Sequence, residues 1–201
     1  MFSSHLKYLI TSLNKSDSQV ILDHLLRLNS NDRYLRFFAV VNDSALQRYV
    51  SEVINFKNDK LFGIFSSDKQ TLIAFAHLTL VEKSGNRIRA ELGISIDAEF
   101  RDRGLAKRLM DRIVVHCRAH DIGILFMSCL RQNKKMQKIA QRAGMKVLLD
   151  HEEAIAELNL VDYGIEKATS ISREIAYEQI AIVDKCYRLN AEILNILLKK
   201  L

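Results

Sequence analysis

The stretch AELGISIDAEFRDRGLAK, residues 90–107, changes its period midway, and that change decides the fold. Over Arg87 to Asp97 the residues alternate. Ile88, Ala90, Leu92, Ile94 and Ile96 share one face, and Arg89, Glu91, Gly93 and Ser95 share the other, the period of two of a β-strand. From Gly104 to Ala119 the period lengthens, and Leu105, Leu109, Ile113 and Cys117 recur every four residues as one face of a helix. A strand thus runs through a short loop into a helix. The first turn of a helix carries unpaired backbone N–H groups and a partial positive charge. Gly104 lets a ligand come close to that backbone. The loop Arg101–Lys107 therefore reads as a pyrophosphate site, with Arg101, Arg103 and Lys107 adding attraction. Taken alone, the same residues also describe a solvated basic helix start with a glycine turn.

Working back towards the N-terminus, Leu61 to Phe65 and Thr71 to Val81 read as strands joined by the turn Ser66–Lys69. A loop at Ser84–Asn86 sets Leu78 against Leu92 and Ala76 against Ile94. It also sets His77 by Gly93 and Thr79 by Glu91; a slip of one residue would pair apolar with polar throughout. Gly93 reads as a site for a bulge. Ser16-Asp17-Ser18-Gln19 has the form of a capping box and opens a helix to Leu28, Asn29–Asp32 reads as a break, and Asn42 caps a second helix. Towards the C-terminus, the order is a strand Ile124–Leu130, a helix Asn133–Arg142 ended by Gly144, and two short strand-like pieces within Lys146–Leu160. A helical tail follows, in which Ala176, Ile180, Val183, Tyr187, Leu194, Leu198 and Leu201 form one apolar stripe. The expected fold is α/β, a mixed and mostly antiparallel sheet flanked by helices. Residues 1–160 form the domain, and 161–201 a helical extension packed on it or in a homodimer.

The composition fits one such unit. The 201 residues are 48% hydrophobic and 27% charged, with no proline and only seven glycines, so no flexible linker divides the chain. No apolar run is long enough to span a bilayer, and Met1–Lys15 lacks the pattern of a signal peptide. The expectation is a cytoplasmic protein with no membrane partner. Cys117, Cys129 and Cys186 are odd in number and far apart, which points to reduced thiols. No histidines stand out at zinc spacing, and no metal is expected. The formal charge of +6 admits a polyanionic partner. Of its densest groups, at Arg87/Arg89, 101–108 and 131–138, the last two sit where a phosphate-rich small molecule would bind, and no interleaving of aromatic and basic residues suggests nucleic acid.

Two motifs in order carry a family resemblance. AELGISIDAEFRDRGLAKRLMDRIV (90–114) holds an R-x-x-G-x-A loop at Arg101, Gly104 and Ala106, and LRQNKKMQKIAQRAGMKV (130–147) holds Asn133, Gly144 and Met145 at matching spacing. Together they resemble the central region of the GNAT superfamily of acyl-CoA-dependent N-acyltransferases, over roughly residues 15–160. The stretch NDRYLRFF (31–38) is similar to one in bacterial GNAT domains that acetylate protein lysines. The resemblance implies transfer of an acetyl group from acetyl-CoA to a primary amine. The cofactor's pyrophosphate would lie on the N–H groups of Arg103, Gly104, Leu105, Ala106 and Lys107. Its pantetheine arm would pair with the strand at Ile94 and Ile96, and Asn133 would make a further contact unless it serves only as a helix cap.

Direct transfer needs a neutral amine, whereas a lysine amine has a pKa of about 10.4. A base must take the proton. Glu91 is the first candidate, on the non-apolar face of the strand; it reads equally as a solvent-facing glutamate paired with Arg89. His77 is the second, with a structural histidine as its other reading. An oxyanion donor is expected from backbone N–H on the Glu91–Ile96 strand. The family's tyrosine acid falls at Ala140 here, which leaves open a chain that binds acyl-CoA as a sensor without turnover.

Overall fold

The computed structural model describes residues 8–84, 87–160 and 164–198. Seven strands form one sheet: β1 (Ile10–Leu13), β2 (Lys60–Phe65), β3 (Leu72–Ser84), β4 (Arg87–Ile96), β5 (Ile122–Leu130), β6 (Lys146–Asp150) and β7 (Glu153–Asn159). Six α-helices accompany them: α1 (Ser18–Arg27), α2 (Ser30–Phe37), α3 (Asp43–Arg48), α4 (Leu105–Ala119), α5 (Lys134–Arg142) and α6 (Gly164–Leu198). The sheet order is β1-β2-β3-β4-β5-β7-β6, and every neighbouring pair is antiparallel except β4 with β5.

The register expected from alternation is the one present. His77 pairs with Gly93, Leu78 with Leu92, Ala76 with Ile94 and Thr79 with Glu91. The expected bulge at Gly93 is not there. Pairing runs unbroken from Ala74–Ile96 to Leu80–Ala90, and the irregularity falls between Leu80 and Glu82. The turn at 85–86 lies outside the described residues.

Two local expectations are corrected, and one strand had gone unread. The capping box belongs to Asn14 and closes the turn that leads into α1: its Oδ1 accepts from Ser16 N–H at 2.9 Å while Asp17 Oδ2 accepts from Asn14 N–H at 3.0 Å. Ser16 itself lies inside a 3-10 turn, Lys15–Asp17. The supposed break at Asn29–Asp32 is the start of α2, with Asn29 Oδ1 accepting from Asp32 N–H at 2.9 Å. Strand β1, four residues on the sheet edge, had no alternation long enough to read.

The sheet has two apolar faces. On one, Phe62, Ile64, Ala76, Leu92 and Ile94 pack against Leu105, Leu109, Ile113 and Cys117 of α4. On the other, Leu61, Phe65, Leu72 and Phe75 pack against Ile21 and Leu25 of α1 and Leu46 of α3. Burial of these side chains stabilises the domain by the usual 1.5–3 kcal/mol or so apiece.

Helix α6 is attached differently. Its inward residues Ser170, Glu174, Ala181 and Asp184 are buried, and most of them are polar. Glu174 receives Arg112 through both carboxylate oxygens, at 2.5 and 3.1 Å, and His116 Nδ1 at 2.8 Å. Arg112 is itself 2% exposed. Further along, Asp184 takes Lys69, and Arg188 reaches Asp17. The apolar stripe read from sequence lies elsewhere: Ile180 (43%), Val183 (56%) and Tyr187 (69%) face away from the domain. The side chains of Leu194 and Leu198, and Leu201 altogether, fall outside the described residues. No helix among the described residues is long and apolar enough to cross a membrane.

His116 and His120 stand one turn apart on α4, with Glu174 opposite and the donor atoms of all three within 4.8 Å of one another. A histidine pair at metal spacing is thus present after all. The two rings stack, with centroids 4.1 Å apart, and the Glu174 carboxylate faces Arg112. Through Arg112 and His116, Glu174 joins α4 to α6.

Burial acting alone would push the Glu174 pKa up. The hydrogen bonds of His116 and Arg112 outweigh it and hold the carboxyl at about 2, against an ordinary 4.5. A carboxyl with a depressed folded pKa adds stability that is complete above its unfolded value and lost as pH falls through the folded one. Glu174→Gln should therefore cost about 2 kcal/mol at pH 7, less than for a sealed pair because Glu178 still faces Arg112. The gap from wild type should narrow between pH 4.5 and about 2 in urea unfolding curves. A gap independent of pH would show that the charge does not hold the seam.

Candidate active site

The site begins where a strand pair ends. β4 and β5 are paired from Ile88–Ile122 to Glu91–Phe126 and no further, although both strands continue. Beyond that point β5 remains bonded to β7 and β4 to β3. Residues Leu92–Ile96 consequently keep one open edge of N–H and C=O groups, facing Met127, Ser128 and Cys129 across a gap. A cavity of about 880 Å³ fills this gap and extends to the start of α4. Its size is in the range of small-molecule sites.

Nearly all the residues singled out in the sequence meet here. Glu91, His77, Ile94, Ile96, Arg101, Gly104, Leu105, Ala106, Lys107 and Asn133 line the cavity. Arg103 does not. Its guanidinium donates to Glu99 O at 2.9 Å and Tyr8 Oη at 3.3 Å, away from the opening.

The other two basic side chains of the loop are also engaged. Arg101 donates twice to Ile96 O, at 3.2 Å, and pairs with Asp32 at 2.6 Å. It fastens the loop to β4 and α2. Lys107 is paired with Asp111 one turn on. The groups left for an anion are the backbone amides. The ladder of α4 opens with Arg108 N–H to Gly104 O at 3.1 Å, which leaves the N–H groups of Leu105, Ala106 and Lys107 ahead of it. Gly104 has φ +76°, and a Cβ there would meet nothing within 4 Å. Backbone conformation disfavours a side chain at Gly104, whereas packing leaves the space beside it open. Asp102, at φ 60°, turns the chain in the same left-handed sense just before it.

Asn133 caps α5, its Oδ1 accepting from Met136 N–H at 3.1 Å, and it also lines the cavity. Ala140 is 1% exposed in the core behind α5. Cys129 is buried, which pushes its thiol pKa up, and Cys117 is pushed up to about 12 by burial. Both are therefore protonated core thiols. All three cysteines are free.

His77 is sealed in. It is 6% exposed and hydrogen-bonded on both nitrogens: Nε2 to Asp59 Oδ2 at 2.7 Å, and Nδ1 to the Tyr49 hydroxyl at 2.6 Å. Thr79 Oγ1 stands 3.0 Å from Nε2. With Nε2–H donating to Asp59, Nδ1 accepts from Tyr49. Burial lowers the His77 pKa, against the raising effect of Asp59. Burial raises that of Tyr49, against the Arg36 charge. Tyr49 lines the cavity, so Asp59–His77–Tyr49 forms a hydrogen-bonded file that reaches it. The sequence placed Tyr49 on the apolar side of a helix. It sits at the start of a single π-turn, Tyr49–Val53, and such turns often mark functional positions. Glu91, by contrast, is exposed to the cavity.

Arg36 of α2 was not singled out. Its guanidinium lies directly on Gly93, and a Cβ built on that glycine would fall inside it. A side chain on Gly93 would have to push this guanidinium aside, and φ there is ordinary.

Comparison with known proteins agrees with this geometry. Residues 10–146 match the family model of the acetyltransferase (GNAT) domain. Among solved structures, the GNAT domain of S. lividans PAT superposes with a TM-score of 0.64 at 17% identity, over 75% of this chain and 89% of that one. The ribosomal-protein-S5-alanine acetyltransferase from Vibrio fischeri gives 0.64 at 12%, over 78% and 95%. The putative acetyltransferase yncA from Salmonella typhimurium, solved with its cofactor acetyl-CoA, gives 0.57 at 13%, over 79% and 96%. The open strand edge, the glycine-led helix start and the family match agree, and the chain belongs to the GNAT family of acetyltransferases.

Proposed function

We propose that this chain transfers an acetyl group from acetyl-CoA to a primary amine. The observation that carries the reading is the open edge of β4 at Leu92–Ile96 running into the uncovered amides of α4. Acetyl-CoA would bring the acetyl group as an activated thioester. The amides of Leu105, Ala106 and Lys107 would hold its pyrophosphate, the edge at Ile94 and Ile96 its pantetheine arm, and Asn133 a further polar group.

Two protons must leave an ammonium for it to become an amide nitrogen with one substituent added. Glu91, exposed in the cavity, takes the first through water and passes it to solvent. Tyr49 takes the second on its oxygen as its own proton moves to His77 Nδ1, with Asp59 beside the resulting imidazolium. The same file then runs backwards, and Tyr49 returns that proton to the departing sulfur. Here Tyr49 does the work of the acid missing at Ala140. Backbone N–H on the open edge of β4 would donate to the developing oxyanion. The acceptor is an amine on a protein or a small molecule.

Calorimetric titration with acetyl-CoA should show micromolar binding that Gly104→Glu abolishes, because the new carboxylate occupies the anion's place. Binding without thiol release on any amine would make the chain an acyl-CoA sensor instead. In a thiol-release assay, Glu91→Gln and Tyr49→Phe should each lower kcat by about 100-fold, the usual scale of acid–base catalysis. Wild-type kcat from Tyr49→Phe would remove the file from the mechanism. The lowered His77 pKa keeps its accepting form populated in mildly acid solution. The acid limb of kcat should therefore fall below pH about 6.5, the ordinary histidine value; a limb at 7 or above would contradict a neutral His77.

A further inference from the structure

Arg36 is a cation without a counter-charge in the middle of the site. No carboxylate of the described residues lies within ion-pair distance of it, whereas Arg27, Arg33, Arg89, Arg101 and Arg112 all have one. Its contacts are the Tyr49 hydroxyl at 3.4 Å and the ring of Phe37, whose centroid is 5.1 Å from Cζ. Its Nε is buried without a hydrogen-bond partner, as are those of Arg89, Arg118 and Arg188, but of these four only Arg36 lines the cavity. A guanidinium offers five N–H donors in a planar fork that suits a carboxylate.

The position says what completes it. Arg36 lines the cavity and rests on Gly93, so its fork is held beside the point where the file from His77 and the side chain of Glu91 converge. Gly93 is three residues before the end of β4, about 10 Å of strand from Ile96. The pyrophosphate place at Gly104 lies further on again. The cofactor's phosphates therefore belong to another part of the cavity, and the anion that Arg36 receives is carried at the reacting end.

We infer that Arg36 binds a carboxylate borne by a substrate within a few bonds of the reacting centre, which makes it a specificity-determining residue. This rests on the transferase reading above. The carboxylate can sit on the acceptor, as in a small amino acid, or on the acyl group, as in a dicarboxylic acyl-CoA. In both cases the same charge disfavours a polyamine. Gly93 belongs to the device, since any side chain there displaces the fork while leaving the charge in the protein.

The test uses the full chain and two matched pairs. Succinyl-CoA is compared with acetyl-CoA by calorimetry, and β-alanine with β-alaninamide by NMR titration, both with and without CoA. The wild type should bind the carboxylate member at least tenfold more tightly in one pair, and the pair identifies the source. Arg36→Gln should bring that ratio close to one, and so should Gly93→Ala, with melting temperatures confirming that both fold. Equal affinity within both pairs overturns the inference, and so does a preference that survives both variants. If no CoA compound binds, the transferase reading falls by itself, and the β-alanine pair measured without CoA still decides whether Arg36 holds a carboxylate.

Discussion

The parallel pairing of β4 with β5 stops at Glu91 and Phe126, and the site depends on that stop. A strand in a sheet normally satisfies both edges. Here Leu92–Ile96 are bonded on the β3 side alone, in a part of the molecule whose two faces are otherwise covered by α4 and by α1 with α3. Unpaired backbone groups in a cleft are costly unless water or a ligand meets them. The fold accepts that cost at one place, and the candidate catalytic residues are gathered around it. His77 stands across from Gly93, Glu91 is at the last paired position, and the loop to α4 leaves from the strand's end.

Much of this was legible in the sequence, for a physical reason. Strand register is set by which face must be buried, so alternation over Ile88–Ile96 against Ala74–Leu80 admitted one pairing, and that pairing is present. Local signals did less well where short range and long range disagree. Ser16 to Gln19 has the letters of a capping box, but Asn14, two residues earlier, makes the cap. β1 and α2 are short and gain their order from packing on β2 and from the Arg33 and Arg101 contacts. Arg36 and Tyr49 were hidden for the same reason. Nothing in residues 31–50 says that an arginine on one helix and a tyrosine on the next will face a glycine more than forty positions away. The clue available was Gly93 itself, which the strand pattern marked as unusual and attributed to a bulge. Its cause is a side chain from elsewhere.

The basic loop gives a related lesson. Three cations at 101–107 suggest charge attraction for phosphate, yet in the fold each is occupied, by Asp32 and Ile96 O, by Glu99 O, and by Asp111. The side chains build the loop and the amides face the opening. A helix ladder whose first donor is Arg108 N–H leaves a fixed set of backbone donors ahead of it, which needs no side-chain ordering when a ligand arrives.

Helix α6 differs in kind from the rest. Its hold on the domain is ionic and its oily residues are turned outward, the reverse of the arrangement at α4. Apolar cohesion weakens in the cold, whereas paired charges answer to ionic strength and acidity. The two parts of the chain therefore respond to different changes in their surroundings.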